Sequence, residues 1–149
     1  MLNDGQPGFP FLDMTVSVKA SSAQTDGTFS LFEVLLPVEY KTPLHIHYLE
    51  DVAIFVLDGN LQIYWGTEKM QASAGSYFFQ PKGTLHGFRV EGDVPARILY
   101  ITIPAGLDRF VFTPDMSSGD CGVTAAARCK IEIVGPLPDS EKQKENPYG

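Results

Sequence analysis

Cysteine is scarce in this chain: only Cys121 and Cys129 occur. Two thiols at that spacing fit one face of a short helix. They make neither a disulfide framework nor a zinc knuckle, and read as reduced, inert side chains. Positive charge is also short. Lys and Arg number 11 against 18 Asp and Glu, a net charge of −7. That excludes the basic surface which nucleic acid or an anionic membrane requires. Apolar runs such as residues 98–107 fall well below the roughly 20 residues of a membrane span. No basic stretch leading into a long apolar segment opens the sequence, so no signal peptide is expected and the protein reads as cytoplasmic. Histidine is nearly as rare as cysteine, with three copies.

What the sequence does hold is a succession of short β-prone runs bounded by turn residues. They cover residues 15–20, 29–36, 44–47, 52–57, 61–65, 69–72, 76–80, 85–90 and 97–103. Asp58-Gly59 between two of them reads as a tight hairpin, because such turns need positive φ. Many short strands and no long helical period before residue 105 predict an all-β sandwich or barrel. Residues 1–12, with Gly5, Pro7, Gly8 and Pro10, read as an irregular arm. Beyond Pro104, residues 105–112 and 121–129 are expected to form short helices, and 131–134 a small strand. The polar, Pro-containing stretch from Pro136 onward is read as a loose tail. The whole, residues 1–149, fits one domain: a barrel over about 14–104 and an extension over 105–149.

All three histidines fall in two short segments. One holds His45-Ile46-His47; the other runs from Gly75 through Pro81 and Gly83 to His86. Residues i and i+2 of a strand share a face, so His45 and His47 can aim two imidazoles at one interior point. His86, on a later strand, can supply a third. Imidazole suits iron, manganese, nickel, copper or zinc sites, so the cluster allows a divalent transition metal without naming it.

These two segments resemble the paired motifs of the cupins. The first cupin motif joins His-x-His to a following Glu and then a glycine, and here His45, His47 and Gly59 match while Glu39 stands in place of its leading glycine. The second is matched by Gly75, Pro81, Gly83 and His86, with Val90 in place of its asparagine. Flanking stretches 29–33, 104–110 and 131–136 are similar to single-domain cupins of the quercetinase-like group. The resemblance covers roughly residues 14–138. It implies a double-stranded β-helix of the jelly-roll kind, and pairing into a homodimer through sheet edges.

One departure stands out. Counting back from Gly59, Val52 occupies the seat of the family's carboxylate ligand, while Glu50 and Asp51 lie just before it. Register alternation turns Asp51 to the opposite face from Val52; Glu50 shares the parity of Val52 but lies in the connecting turn, and either acid bending in as a fourth ligand is the alternative. The expected site is therefore a three-histidine variant. Three neutral imidazoles leave a divalent ion its full charge, favouring an anionic substrate oxygen.

The resemblance then implies a metal-dependent oxygenase, dioxygenase-like in type, acting on a small phenolic or enolisable compound. Two alternatives stand beside it: a non-redox isomerase, cyclase or lyase of secondary metabolism, and a non-catalytic small-molecule binding module. His45, His47 and His86 are the expected metal ligands, and Glu50 the nearest candidate for a general base. Val52, Tyr77, Phe79 and Phe88 are candidates for lining a substrate cavity, with Tyr64 and Trp65 reading as core. Gln80 and Arg89 read as surface or rim. Glu50, Asp51, Glu91 and Asp93, beside turns, read as solvated.

Overall fold

A computed structural model of the chain describes residues 8–110 and 130–138. Within them the alternation of apolar and polar residues becomes strands that bury one face each. In β3 (Ser30–Leu36), Phe32, Val34 and Leu36 turn inward. In β10 (Ala96–Ile103), Ala96, Ile98 and Tyr100 do the same. Such period-two burial is what a sheet with one face on a core requires.

Two antiparallel sheets result. The six-stranded one runs β1 (Phe9–Phe11), β2 (Met14–Ala20), β3, β10, β5 (Asp51–Asp58), β8 (Tyr77–Gln80). The five-stranded one runs β11 (Ile131–Gly135), β4 (Leu44–His47), β9 (Leu85–Glu91), β6 (Asn60–Trp65), β7 (Glu68–Ser73). Their inner faces meet in one core, in which Phe32, Ile54, Ile63 and Ile98 are almost fully buried. The expected all-β jelly-roll architecture is the one observed, and the strands fall within a residue or two of the runs read from the sequence.

Four local expectations need correction. Asp58-Gly59 is not a tight hairpin, because β5 and β6 lie in different sheets and do not pair. The turn is a corner between layers. Gly59 does take positive φ (84°), and a Cβ there would lie 2.7 Å from the Ala96 Cα. Secondly, the helix expected over residues 105–112 is only a single turn, α1 (Leu107–Phe110), so a C-terminal helical extension is not what the described residues form. The other expected helix, 121–129, lies outside the described residues. Thirdly, Phe9–Phe11 is not irregular; it pairs with β2.

Lastly, residues 136–138 are not loose. Leu137 is buried against Gly87, where a Cβ would come within 2.7 Å of its Cδ1. Arg89 donates to the Pro138 carbonyl and lies 5.7 Å from the Tyr64 ring. This strap covers the outer side of the five-stranded sheet, which is why Gln62 and Tyr64 are buried along with the inward-facing Leu61 and Ile63 of the same strand. Residues 139–149 lie outside the described residues.

Candidate metal centre

Strand β4 presents His45 and His47 on its inner face, and β9 presents His86. The two strands pair so that His45 stands opposite His86, which brings non-bonded cross-strand side chains into contact. The ring centroids of His45 and His86 are 4.3 Å apart, and those of His47 lie 5.1 Å and 5.2 Å from them. One potential ligand atom from each histidine falls within 4.8 Å of the others. All three are nearly sealed from solvent, at 9%, 4% and 2% exposure.

Backbone carbonyls aim the rings. Nδ1 of His45 is 2.7 Å from the Pro43 carbonyl and Nδ1 of His86 is 2.9 Å from that of Thr84. Each Nδ1–H donates there, so the lone pair of each imidazole sits on Nε2. This arrangement fixes tautomer and orientation in metal-ligating histidines. The Nε2 of His86 is buried and has no partner within the protein. A buried acceptor without a partner costs about 1–3 kcal/mol, and a metal ion is the group such a set of donors suits. Burial, with the neighbouring histidines adding to it, lowers the pKa of His45 to about 4 and that of His86 to about 3. These two imidazoles are therefore neutral at ordinary pH, as metal ligation requires.

Glu50 corrects the sequence reading. It is not solvated but 3% exposed, and its Oε2 lies 3.8 Å from His47 Nδ1 with no hydrogen-bond partner. Residues 48–50 form a bend between β4 and β5, and that bend carries the carboxylate inward. Room for it comes from Gly106, where a Cβ would stand 3.3 Å from Glu50 Oε1. Glu50 does not join the three donors that converge within 4.8 Å; it stands behind His47. On the ring's other side the Tyr100 hydroxyl is 3.4 Å from His47 Nε2. Burial, then the Glu50 charge, pushes the Tyr100 phenol well above its usual range, so it stays protonated. Asp51, by contrast, turns away and accepts from the Lys82 backbone N–H at 2.9 Å.

Val52 is fully buried in the opposite sheet. Its register partners are Thr102 on β10 and Gln80 on β8. Beside this row lies a cavity of about 270 Å³, walled by Ile63, Trp65, Met70 and the four residues of β8. Trp65, one wall of the cavity, is the register partner of His86, although no histidine is itself among the lining residues. Tyr77 and Phe79 border it while staying 61% and 39% exposed. Phe88 does not border it; it is 5% exposed within the core cluster.

Residues 31–102 match the family described as Cupin domain. The barrel has the cupin fold. Its structural likenesses agree on the fold. KdgF from Halomonas sp. superposes with a TM-score of 0.61 at 18% identity, over 71% of this chain and 92% of that one. A Thermotoga maritima protein described as a predicted oxalate decarboxylase gives 0.63 at 16%, over 70% and 98%. The polyketide cyclase RemF from Streptomyces resistomycificus gives 0.55 at 23%, over 66% and 69%. By sequence, this chain is 33% identical over 75 residues to an uncharacterized protein of Methanocaldococcus jannaschii, spanning 50% of this chain and 60% of that protein's length.

The burial of two residues at the site escaped the sequence reading. Gln80 was read as rim and is 2% exposed. A signal existed: within 76–80 it shares parity with the inward Phe78, so a polar side chain occupied an inward slot. Glu50 had no such signal, because a bend has no period.

Proposed function

We propose that this protein is a metal-dependent enzyme, oxygenase-like in type, acting on a small phenolic or enolisable compound. The observation that carries the reading is three buried imidazoles with potential ligand atoms within 4.8 Å of one another, on the sheet that also helps to wall an apolar cavity of about 270 Å³. His45, His47 and His86 would hold the ion, whether iron, manganese, nickel, copper or zinc. When bound, it supplies positive charge that steadies an anionic substrate oxygen and lowers the pKa of the group that carries it.

The chain's own residues supply the rest. Pro43 and Thr84 carbonyls hold the rings of His45 and His86 against rotation. Ile63, Trp65, Met70 and Phe78 offer flat apolar walls that admit a ring and keep water out. Val52 closes the opposite sheet with a side chain that competes for no polar group. Glu50, buried with an oxygen free of hydrogen bonds, can take up the proton that a phenol or enol releases on binding.

Glu50 also supports a second reading. A buried carboxylate beside the cluster is what a non-redox isomerase, cyclase or lyase needs for proton transfer, with no oxygen consumed.

The test begins with elemental analysis of protein purified without chelator. We expect a transition metal near one equivalent. His86→Ala should weaken its binding by more than about 100-fold, since loss of a mere supporting partner already costs roughly 10–100-fold. Oxygen uptake with 2,4-pentanedione or a substituted phenol should follow metal content. Full zinc occupancy with no oxygen uptake would overturn the oxygenase assignment in favour of the proton-transfer reading.

A further inference from the structure

Among the described residues, the side-chain amide of Gln80 is unusual in being orphaned at both ends. Neither Oε1 nor Nε2 has a hydrogen-bond partner within the protein, although the residue is only 2% exposed. Leaving a buried amide unpaired is costly, and a core position of this kind ordinarily selects an apolar residue. Thr102 on the same row also has an unpaired hydroxyl, but it does not border the cavity; Gln80 does. The remaining wall side chains are Ile, Trp, Met, Phe and Tyr, so an occupant resting on the buried part of that wall meets one amide among rings and aliphatic groups.

We propose that Gln80 is a specificity-determining residue that reads a neutral donor–acceptor group on the substrate, such as a phenolic hydroxyl or carboxamide. This rests on the metal-enzyme reading above and deepens it. An amide offers one acceptor and two donor hydrogens. A hydroxyl or carboxamide can satisfy both ends. A carboxylate would face the Oε1 dipole unfavourably and leave it unpaired, and an ammonium group would do the same to Nε2. The substrate is therefore a flat compound with two polar ends. One is an acidic oxygen directed to the histidines; the other is an uncharged hydroxyl or amide set against β8. Such a site discriminates against an analogue lacking the group, which leaves the buried amide unpaired.

The experiment uses zinc-loaded full-length protein, which binds without oxidative turnover, and three probes: 2′-hydroxyacetophenone and its 4′-hydroxy and 5′-hydroxy derivatives. Calorimetric titration should show at least one dihydroxy probe binding about three- to tenfold tighter than the parent, the effect of one net hydrogen bond. Gln80→Met, of nearly the same shape, should abolish that advantage while leaving zinc content and parent binding unchanged. In the absence of probe the same variant should melt about 2–6 °C higher, because the unpaired amide is gone. A purely structural glutamine would give a lower melting temperature instead. Gln80→Leu provides a second apolar variant and should behave alike.

The assignment is overturned if both dihydroxy probes bind like the parent to wild type, or if the advantage survives in Gln80→Met. In those outcomes the zinc site and parent binding remain, and the metal reading stands. If the protein takes up no zinc and binds no probe, the metal reading itself fails and this inference goes with it.

Discussion

At the scale of single residues, Glu50 carries an unusual burden. A carboxylate that is 3% exposed, with one oxygen unpaired, has lost much of its hydration without a cation in return. The metal-free protein bears that cost, and a nearby positive ion would relieve it. Glu50→Gln should therefore act in opposite directions on two measurements. Thermal or denaturant unfolding of metal-free protein should show a gain of about 1–3 kcal/mol, because the buried charge is gone. Metal titration of the same variant should show weaker binding, because a negative charge near the ion has been removed. Unchanged metal affinity would mean the ion does not feel Glu50. The sequence could reveal the carboxylate's presence but not its direction, since Val52 fills the inward strand position and Glu50 lies in a bend.

At the scale of elements, strand alternation carried the reading and turns and ends limited it. His45 and His47 share a face because the strand period is two, and β9 brings His86 opposite by register. That much was legible, as was Gly59's positive φ. What Gly59 joins was not, because a local turn signal carries no information about which sheet the next strand enters. The strap at residues 136–138 was read as tail for a similar reason. Its one apolar residue, Leu137, gains meaning only beside Gly87, about a third of the chain away in sequence. Leu137→Ala should destabilise the protein by about 2–3 kcal/mol, the lower part of the range for a buried leucine at a site able to settle. The midpoint of a urea titration measures it. A change below about 0.5 kcal/mol would show that the strap contributes little to holding the five-stranded sheet.

For the molecule as a whole, His45 and His86 link stability to pH. His45 and His86 have folded-state values near 4 and 3, against an ordinary 6.5. Above about 6.5 both are neutral whether folded or unfolded, and they contribute no pH dependence. Between 6.5 and the depressed values, the unfolded chain takes up protons that the folded one refuses. Stability of the metal-free protein therefore falls as pH drops from about 6.5 toward 4. Denaturation midpoints at pH 7 and pH 5 should reveal the slope, and His86→Gln should flatten it. An equal slope in that variant would mean His86 is not buried neutral.

The pairing of β11 with β4 has a consequence for biosynthesis. His45 and His47 stand opposite Ile133 and Ile131, so one edge of the ligand-bearing strand is completed by residues translated long after it. A ribosome has made both histidine motifs well before it supplies that neighbour. Until then that edge of the strand lacks the partner it has in the folded chain. Shortening β11 would leave the strand that carries His45 and His47 in the same condition.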